Sequence, residues 1–523
     1  MCIREPKLLI IALAAATLAG CAAPTLEVAP KRLSLDLAPP APDRPWPPQI
    51  NASGDIVPGR PRGDAAATRA GYTLPDSPAL ATVPAAQEFD ANHPYTLLEL
   101  IDLAESANPT TRIAWNDARN AALAADIAKS AYLPQITATA MAGYQKAHGT
   151  TSTQLGSIDN DPTAHGTVEV LSLQWLLFDF GGRRARLDAA KDASVASNIA
   201  FTAVHQQVIY DVSVAYYAYE AARSRARTAV LALDNADEIL AAARARFKQG
   251  IGTVIEVSQA AQNRAQANFA HVQTEGAEKD SYFSLISALG ISPLSKPKIA
   301  ELPVRTLSRT LERSVDEIVE DAIARRPDVQ AAYALAQASQ AKIRADEAAF
   351  KPKVFMSASV GNSTGHTSVT AIPSIGDQSA TVNLNGSRRN ASVFIGVTVP
   401  IYDGGLRSSV LMQARNDADS ASERLNRTKQ DAVRQIVVSQ NALRSSLASH
   451  EAAKGLVDAS QTTYDAALDA YKHGVGSITD ALLAQNQLYI AQNARADSYS
   501  VTLSAAATLA LATGMIGEGR AAW

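Results

Sequence analysis

The residues that could carry metal or nucleophilic chemistry are few in this chain of 523 residues, and they lie far apart. Zinc sites and redox sites use His and Cys at short spacings such as His-x-x-x-His or Cys-x-x-Cys. The cysteines are Cys2 and Cys21, and the eight histidines are scattered: His93, His148, His165, His205, His271, His366, His450 and His473. This distribution predicts no metal site, no cofactor and no enzyme active site.

Two Gly-x-Gly segments separate long stretches without proline, and their glycines are Gly250, Gly252, Gly474 and Gly476. Phosphate-binding glycine loops follow a strand, whereas these segments lie between predicted helices. They are therefore interpreted as helix reversals, in which glycine supplies the backbone freedom to turn. An acidic residue follows each turn, Glu256 and Asp480. Carboxylates also complement the dipole at a helix N-terminus, so helix capping is one interpretation of both residues.

A helix of unusual length must position the first reversal. From Arg183 to Gln249 there is neither Pro nor Gly, and apolar residues recur at steps of three and four. This spacing predicts a single helix of about 100 Å, at 1.5 Å per residue. No compact domain needs such a helix, so it must pack along others as a coiled coil or helical barrel. The composition agrees, because 47% of the residues are hydrophobic but only 6% are aromatic.

The chain from Tyr95 onward consists of two copies of one pattern. The segment 247–253 matches 471–477, and Gly290 matches Gly514, in both cases at an offset of 224 residues. Agreement at one offset over several landmarks indicates a tandem duplication. Each copy is predicted to contain a helix, two strands, a very long helix, a Gly-x-Gly turn and another long helix.

The predicted strands are segments in which apolar and polar residues alternate, near 136–143, 165–177, 354–360 and 393–399. About ten residues is the length that a tilted strand needs to cross a bilayer, although an ordinary soluble hairpin would alternate in the same way. The segments 148–160 and 361–387 are predicted to be long external loops. Four strands cannot close a barrel, and an open edge cannot face lipid, so transmembrane strands would require several chains.

The N-terminus has the features of an exported lipoprotein. A positively charged start precedes an apolar run from Leu8 to Leu18, which has the length of a signal peptide. The sequence Leu-Ala-Gly-Cys ending at Cys21 resembles the bacterial lipobox, which predicts lipidation of Cys21. The alternative is an ordinary signal peptide with an incidental cysteine. Ala22, rather than Asp, favours the outer membrane by the logic of lipoprotein sorting.

These features divide the chain into successive parts. The predicted parts are a signal peptide (1–20), a lipidated Pro/Ala-rich N-terminal tether (21–92), a first repeat (93–290), a linker (291–314), a second repeat (315–515) and a C-terminal tail (516–523).

Two copies of helix, hairpin and long helix behind a lipobox resemble the TolC superfamily, and more narrowly the NodT/OprM-type outer-membrane lipoproteins of tripartite efflux pumps. The resemblance covers about residues 95–515 and includes the strand-end aspartates Asp179 and Asp403. It implies a mostly α fold with membrane β structure: a homotrimer with a twelve-stranded β-barrel that continues as a periplasmic α-helical barrel. It also implies three kinds of partner, namely a periplasmic adaptor (membrane-fusion) protein, an inner-membrane pump and outer-membrane lipid.

By the same resemblance, the periplasmic tip carries a gate. An acidic ring after the second reversal corresponds to Asp480, and Glu256 is its equivalent in the first copy. A tyrosine just before the turn, which takes part in links that close the family's gate, corresponds to Tyr471.

The chain departs from the family pattern at two gate positions. Gly476 replaces an arginine that helps to lock the closed form, and Leu483 replaces a second acidic residue. The lock is therefore expected to be weaker or differently made, with Lys472 or Lys248 as substitutes.

The sequence thus predicts an outer-membrane exit duct of a tripartite efflux system that exports small toxic compounds, such as drugs or aromatic acids, from a Gram-negative cell. A duct of the same fold for type I protein secretion and a structural coiled-coil lipoprotein are the alternatives. The net charge of −3, without a Lys/Arg-rich run, gives no indication of nucleic-acid binding. The resemblance implies that the duct is passive and that the inner-membrane pump selects, so the cargo is not expected to be readable from this sequence.

Overall fold

The computed structural model describes residues 49–50, 56–57, 82, 85–153, 156–160, 163–303, 307, 315–372 and 381–517. The predicted signal peptide, Cys21 and most of the predicted tether lie outside these residues. The chain divides into two compact units, Met1–Ala85 and Ala86–Trp523. In the first unit, strands β1 (Gln49–Ile50) and β2 (Ile56–Val57) pair antiparallel.

The second unit is mostly helical, and its elements follow one order twice. The described helices are α1 (Leu97–Ala107), α2 (Pro109–Ser130), α3 (Gly182–Lys248), α4 (Val254–Leu289), α5 (Val315–Ile323), α6 (Pro327–Ala348), α7 (Leu406–Lys472) and α8 (Ile478–Ala512). The described strands are β3 (Pro94–Tyr95), β4 (Gln135–Lys146), β5 (Gly149–Thr153), β6 (Gly156–Asn160), β7 (Thr163–Phe178), β8 (Lys298–Ile299), β9 (Lys353–Ile372) and β10 (Thr381–Thr398).

Local sequence sets where the short helices begin. At α1, the Thr96 side chain accepts a hydrogen bond from the Glu99 amide, and the Glu99 carboxylate accepts one from the Thr96 amide at 2.7 Å. This reciprocal capping box satisfies two amides that a helix N-terminus leaves unpaired. Helices α2 and α6 begin with Pro109 and Pro327, where the missing amide hydrogen costs nothing.

The long helices α3 and α7 have 67 residues each, which corresponds to about 100 Å. Alanine is the commonest residue among the buried positions of both helices, for example Ala229, Ala236 and Ala243 in α3, each without exposed surface. Because alanine has high helix propensity and a small side chain, such helices can stay continuous and pack closely over many turns. The sequence prediction of one helix over 183–249 therefore agrees with the structure to within one residue at each end.

The strands form one antiparallel sheet in the order β4-β7-β9-β10, with β5 and β6 extending its far end beside β9. The central pairing joins the two sequence copies, because β7 belongs to the first and β9 to the second. Leu171 lies opposite Val360 in this pair, and the register is continuous except for an irregularity between Leu176 and Phe178. The apolar residues of β7 change face between Val170 and Leu171, within the continuous part of the register, so this irregularity does not cause that change.

The strands are longer than the sequence predicted. Strand β9 has 20 residues and β10 has 18, so most of the predicted loop 361–387 is paired strand. The predicted loop 148–160 likewise contains the β5–β6 hairpin. These loop predictions were wrong because Ser and Thr also suit turns. Here they satisfy one another across the strands, as Thr167 and Thr364 do at 2.7 Å.

One face of the sheet is apolar for part of its length. Leu171, Leu173 and Trp175 of β7 share this face, since residues two apart in a strand point the same way. Their cross-strand partners on β9 are Val360, Ala358 and Met356. We call these six residues, together with Ile136 of β4 and Val393 and Ile395 of β10, the apolar face. Val393 and Ile395 are 68% and 70% exposed, so this face is uncovered within one chain.

None of the described helices is both long enough and apolar enough to cross a membrane. The letters Gly361-Asn362-Ser363-Thr364-Gly365 match the Gly-x-Ser-x-Gly pattern of α/β-hydrolases, but they lie inside β9. A nucleophile elbow requires a sharp strand-to-helix turn that exposes the serine. This segment therefore does not form such an elbow.

Candidate gate at the helix reversals

The two Gly-x-Gly turns reverse the chain between α3 and α4 and between α7 and α8. Gly250 and Gly474 have φ of 76° and 80°, the left-handed conformation that glycine adopts without steric cost. At the first turn, the Ile251 and Gly252 amides both donate to the Arg246 carbonyl at 3.1 Å. The second turn repeats this arrangement around the Ala470 carbonyl. Carbonyls left unpaired at each helix end are thus satisfied locally.

The second glycine of each turn is required for space. A Cβ atom at Gly252 would lie 2.9 Å from the Phe247 amide nitrogen, and one at Gly476 would lie 2.9 Å from the Ala470 Cβ. Both distances are shorter than those at which Cβ atoms contact other atoms in proteins. This explains physically why Gly476 occupies the position at which the family resemblance suggested an arginine: in this turn no larger side chain fits without a shift.

Next to the turns, the ends of the four long helices share one apolar cluster. It contains Ile239, Leu240, Ala243, Ala260, Tyr464, Leu468, Tyr471, Ile478, Ala481, Ala484 and Leu488. Because these residues come from α3, α4, α7 and α8, the cluster packs the two helical hairpins of one chain against each other. A buried polar link reinforces it: Gln485 accepts from Asn263 at 2.6 Å and donates to the Ala232 carbonyl at 2.7 Å.

Tyr471 and Glu256, both predicted gate residues, are brought together. Tyr471 lies in the last turn of α7 and is 1% exposed, and Glu256 lies in the first turn of α4. The Tyr471 hydroxyl donates to a Glu256 carboxylate oxygen at 3.1 Å. A hydrogen bond to a charged acceptor is stronger than one between neutral groups. This bond joins the second copy of the repeat to the first.

Arg246 completes the arrangement, and sequence reasoning missed it. Its guanidinium donates to the Tyr471 carbonyl at 3.0 Å and lies over the Tyr471 ring at 5.0 Å. A cation suits both partners, because the end of helix α7 carries partial negative charge and the ring face attracts cations. At the offset of 224, Arg246 corresponds to Ala470. Many neighbouring positions also differ between the copies, so this difference alone did not identify Arg246.

The environment of Tyr471 favours its neutral form. Burial, and then the hydrogen bond to Glu256, raise the pKa of Tyr471 to about 12 from the ordinary 10.0. Ionisation would place a phenolate beside the Glu256 carboxylate without the proton that joins them. The tyrosine therefore acts as a hydrogen-bond donor throughout the physiological pH range.

Asp480 is not part of this cluster. Asp480 is exposed. Its carboxylate accepts a hydrogen bond from the Ser477 hydroxyl at 2.7 Å, and its backbone amide donates to the Ser477 hydroxyl oxygen at 3.1 Å. Ser477 is the N-cap of α8, so the helix-capping interpretation of Asp480 has direct geometric support. Glu256 has the same capped position behind Thr253, yet it also binds Tyr471. The Glu256 amide thus donates to the Thr253 cap, whereas its carboxylate binds Tyr471.

The predicted substitutes for the missing arginine lie elsewhere. Lys472 forms an ion pair with Glu238 at 2.5 Å, and Lys248 is exposed. Leu483 is 57% exposed. The basic residue that contacts Tyr471 is therefore Arg246 and neither of the two lysines.

The cluster joins Arg246 and Glu256 of the first sequence copy to Tyr471 of the second, and the copies cannot exchange these roles. The residues equivalent by the offset of 224 are Ala470, Asp480 and Phe247. Alanine and phenylalanine cannot make the guanidinium and hydroxyl bonds, so the reciprocal arrangement lacks this link. Within the described residues, no group of three or more His, Cys, Asp or Glu side chains is arranged to hold a metal ion.

Comparison with known proteins agrees with this architecture. The family model for outer membrane efflux proteins matches residues 100–291 and 318–515, which are most of the two sequence copies. "Protein CyaE" of Bordetella pertussis is 27% identical over 391 residues, covering 75% of this chain and 78% of that protein. "Outer membrane efflux protein BepC" of Brucella suis is 28% identical over 389 residues, covering 74% and 78%.

A solved structure also matches the fold. The outer membrane protein VceC of Vibrio cholerae superposes with a TM-score of 0.62 at 20% identity, covering 80% of this chain and 96% of that one. At this identity the likeness establishes the fold alone. Together with the match of the family model to both repeats, it leads to one assignment. The chain belongs to the outer membrane efflux protein family, a family of channels, and is an outer-membrane duct for efflux.

Proposed function

We propose that three copies of this chain assemble into a twelve-stranded β-barrel in the outer membrane, continued into the periplasm by a barrel of the long helices. The observation that carries this proposal is the sheet β4-β7-β9-β10. Among the described strands, β4 pairs only with β7 and β10 only with β9. The outer edges of β4 and β10 therefore present unpaired backbone groups.

Open edges of this kind require a partner. Unsatisfied backbone groups are costly in lipid, so sheets cross membranes only as closed barrels. In a ring of identical chains, the β10 edge of one copy can pair with the β4 edge of the next, which closes the barrel. Three copies would supply the twelve strands that the family resemblance implies. The exposed apolar face suits contact with lipid, and Trp175 and Tyr144 on the same side suit the interfacial aromatic positions.

The helical part supports a closable tunnel. Helices of about 100 Å extend far beyond any bilayer. In the assembly, the reversals at Gly250 and Gly474 lie at the inner tip. We assign the cluster of Arg246, Glu256 and Tyr471 as the tie that holds the two hairpins of each chain together in the closed state. Opening would then separate the hairpins within each chain.

The acidic ring is assigned to Asp480. Its exposed carboxylate beside the second reversal would be repeated three times around the axis of a trimer. Carboxylates that converge on a narrow opening concentrate negative potential, which favours cations and multivalent cation binding. The cap formed with Ser477 fixes the carboxylate without neutralising it.

Partners and cargo follow from the role of such a duct. A periplasmic adaptor protein and an inner-membrane pump would supply energy and selectivity, and lipid on Cys21 would anchor the N-terminus to the outer membrane. The proposed cargo is small toxic compounds. Relatives named for toluene efflux, antibiotic efflux and pyoverdine export support this class.

The barrel is tested by disulfide cross-linking between strand edges. Cysteine pairs, one placed along β4 and one along β10, are expected to form chain-to-chain links that give dimer and trimer bands. The matched control is Leu171→Cys with Val360→Cys, which lie directly opposite within one chain and should give no such bands. Native mass measurement of the detergent-solubilised protein should give a trimer. A stable monomer, or β4–β10 links that form only within one chain, would refute the barrel.

A further inference from the structure

Two histidines that are 201 residues apart in sequence lie side by side in the sheet. His165 of β7 is directly opposite His366 of β9, and their ring centroids are 5.0 Å apart. Directly opposed residues in an antiparallel pair have Cβ atoms about 4.5–5.5 Å apart, within reach of each other's side chains. Both rings lie on the side of the sheet that carries the apolar face, six residues along β7 from Leu171 and about 20 Å beyond it.

The histidines are the centre of a longer row. Tyr144 of β4 is opposite His165, and Asn385 of β10 is opposite His366. One level of the sheet therefore carries four side chains with nitrogen or oxygen atoms, one from each strand. Tyr144 is 69% exposed and His165 is also exposed, so a solute can reach the row from the solvent side.

The register that aligns the row is held on both sides. Thr167 and Thr364 hydrogen-bond at 2.7 Å on one side of the histidines, and Thr163 and Ser368 do so at 2.5 Å on the other. Gly166 lets the strands approach closely between them, since a Cβ atom there would lie 2.1 Å from the Thr364 carbonyl oxygen. Because a shift by one residue would move every side chain to the other face, these contacts hold the two imidazoles opposite each other.

The hydrogen bond of His366 defines which ring nitrogen is free. His366 Nδ1 bonds the side-chain oxygen of Asn385. With the Asn385 amide in this orientation its oxygen accepts and Nδ1 donates, and the lone pair of a neutral ring then lies on Nε2. Metal-binding histidines are usually oriented in this way, by donation of the other ring N–H to an oxygen. Asn385 is thus placed as a positioning residue for a ligating imidazole.

We propose that His165 and His366 bind a divalent transition-metal ion, of the copper, nickel and zinc class that imidazole favours, with Tyr144 and water as further oxygen donors. Both imidazoles come from one chain, so the site does not depend on the proposed trimer. A metal ion here would tie the hairpin of the first copy to that of the second. Spacing along the chain does not indicate this site, because its two histidines are 201 residues apart.

The test is a Cu²⁺ titration of the full-length protein, purified in detergent with a histidine-free tag and stripped of metal. Electron paramagnetic resonance is expected to show one bound Cu²⁺ per chain with coupling to two nitrogen nuclei. His165→Ala and His366→Ala should each remove the two-nitrogen signal. Asn385→Ala should keep it but weaken the affinity by about 10- to 100-fold, the usual cost of losing an orienting partner.

His473→Ala is the matched control, because His473 is exposed on the distant α7–α8 turn and should leave the signal unchanged. Zn²⁺ competition and an EDTA-reversible rise in the wild-type unfolding temperature provide readouts that need no variant. The proposal is overturned if the wild type shows no two-nitrogen signal. It is also overturned if the signal survives in His165→Ala, or if His473→Ala removes it.

Discussion

Replacing Tyr471 with phenylalanine isolates one bond of the candidate gate. The substitution removes the hydroxyl that donates to Glu256 at 3.1 Å, but it keeps the buried ring and the Arg246 guanidinium above it. The Arg246 bond to the Tyr471 carbonyl also survives, because it involves the backbone. We therefore expect Tyr471→Phe to fold and assemble normally while shifting the closed–open equilibrium towards the open state.

The size of the shift follows from the nature of the bond. A hydrogen bond to a charged group contributes about 1.5–3 kcal/mol, and the half-buried position of Glu256 favours the lower end. Since 1.4 kcal/mol corresponds to a factor of ten, one chain should open about tenfold more readily. If the three ties of a trimer must break together, the factor becomes about a thousandfold. The shift is towards the open state because opening, as assigned above, separates the hairpins and breaks this bond.

Single-channel recordings in planar bilayers measure this effect as open probability, and vancomycin sensitivity of expressing cells measures it in vivo. Tyr464→Phe is the matched control. Tyr464 lies two turns earlier in α7 and is 4% exposed, and its hydroxyl has no hydrogen-bond partner among the described residues. It should therefore leave both readouts unchanged.

A double-mutant cycle decides whether the hydroxyl acts through Glu256. Glu256→Gln should open the channel in the same direction, and the double variant Tyr471→Phe with Glu256→Gln should add little to either single change. Additive effects would show that the two residues act independently. An unchanged open probability in Tyr471→Phe, or an equal increase in Tyr464→Phe, would refute the assignment of the tie.

Three further predictions concern charge, ionisation and anchoring. Asp480→Ala should reduce cation selectivity and block by trivalent cations, whereas Ser477→Ala should cost about 1 kcal/mol of stability through the lost cap and leave selectivity intact. Because the pKa of Tyr471 is raised to about 12 from 10.0, its contribution is complete below pH 10 and is lost as the pH rises to 12. Open probability should therefore rise in that window in the wild type but not in Tyr471→Phe. Cys21→Ser should abolish labelling by a radioactive fatty acid.

Each of these has a result that contradicts it. Unchanged selectivity in Asp480→Ala would mean that the carboxylate only caps its helix. An alkaline opening that persists in Tyr471→Phe would belong to another group. Equal labelling of Cys21→Ser would exclude lipid at that residue.

Local sequence was sufficient for the helices and their reversals. A long run without Pro or Gly, in which apolar residues recur at steps of three and four, favours one continuous helix. Each turn needs one glycine for its left-handed conformation and a second where a Cβ atom would clash with the preceding helix end. For this reason the long helix and the positions of Gly250, Gly252, Gly474 and Gly476 agree with the structure. Duplication was equally visible, because a repeat leaves the same residues at a constant offset.

The lengths of the strands were harder to predict from the sequence. The Ser- and Thr-rich segment 361–387 was assigned to a loop, yet it pairs as part of β9 and β10. Hydroxyl side chains favour turns when they bond their own backbone and favour strands when they bond a neighbouring strand. Which of the two prevails depends on the partner strand, and a single sequence does not reveal that partner.

Contacts between the copies were decided by tertiary structure alone. The family pattern pointed to Tyr471 and Glu256, but Arg246 became part of the same cluster only when α3 packed beside the end of α7. His165 and His366 are likewise scattered histidines in sequence and direct neighbours in the sheet. Spacing along a chain predicts proximity only within one helix or strand, where the geometry is periodic. Between elements, proximity is determined by packing and strand register.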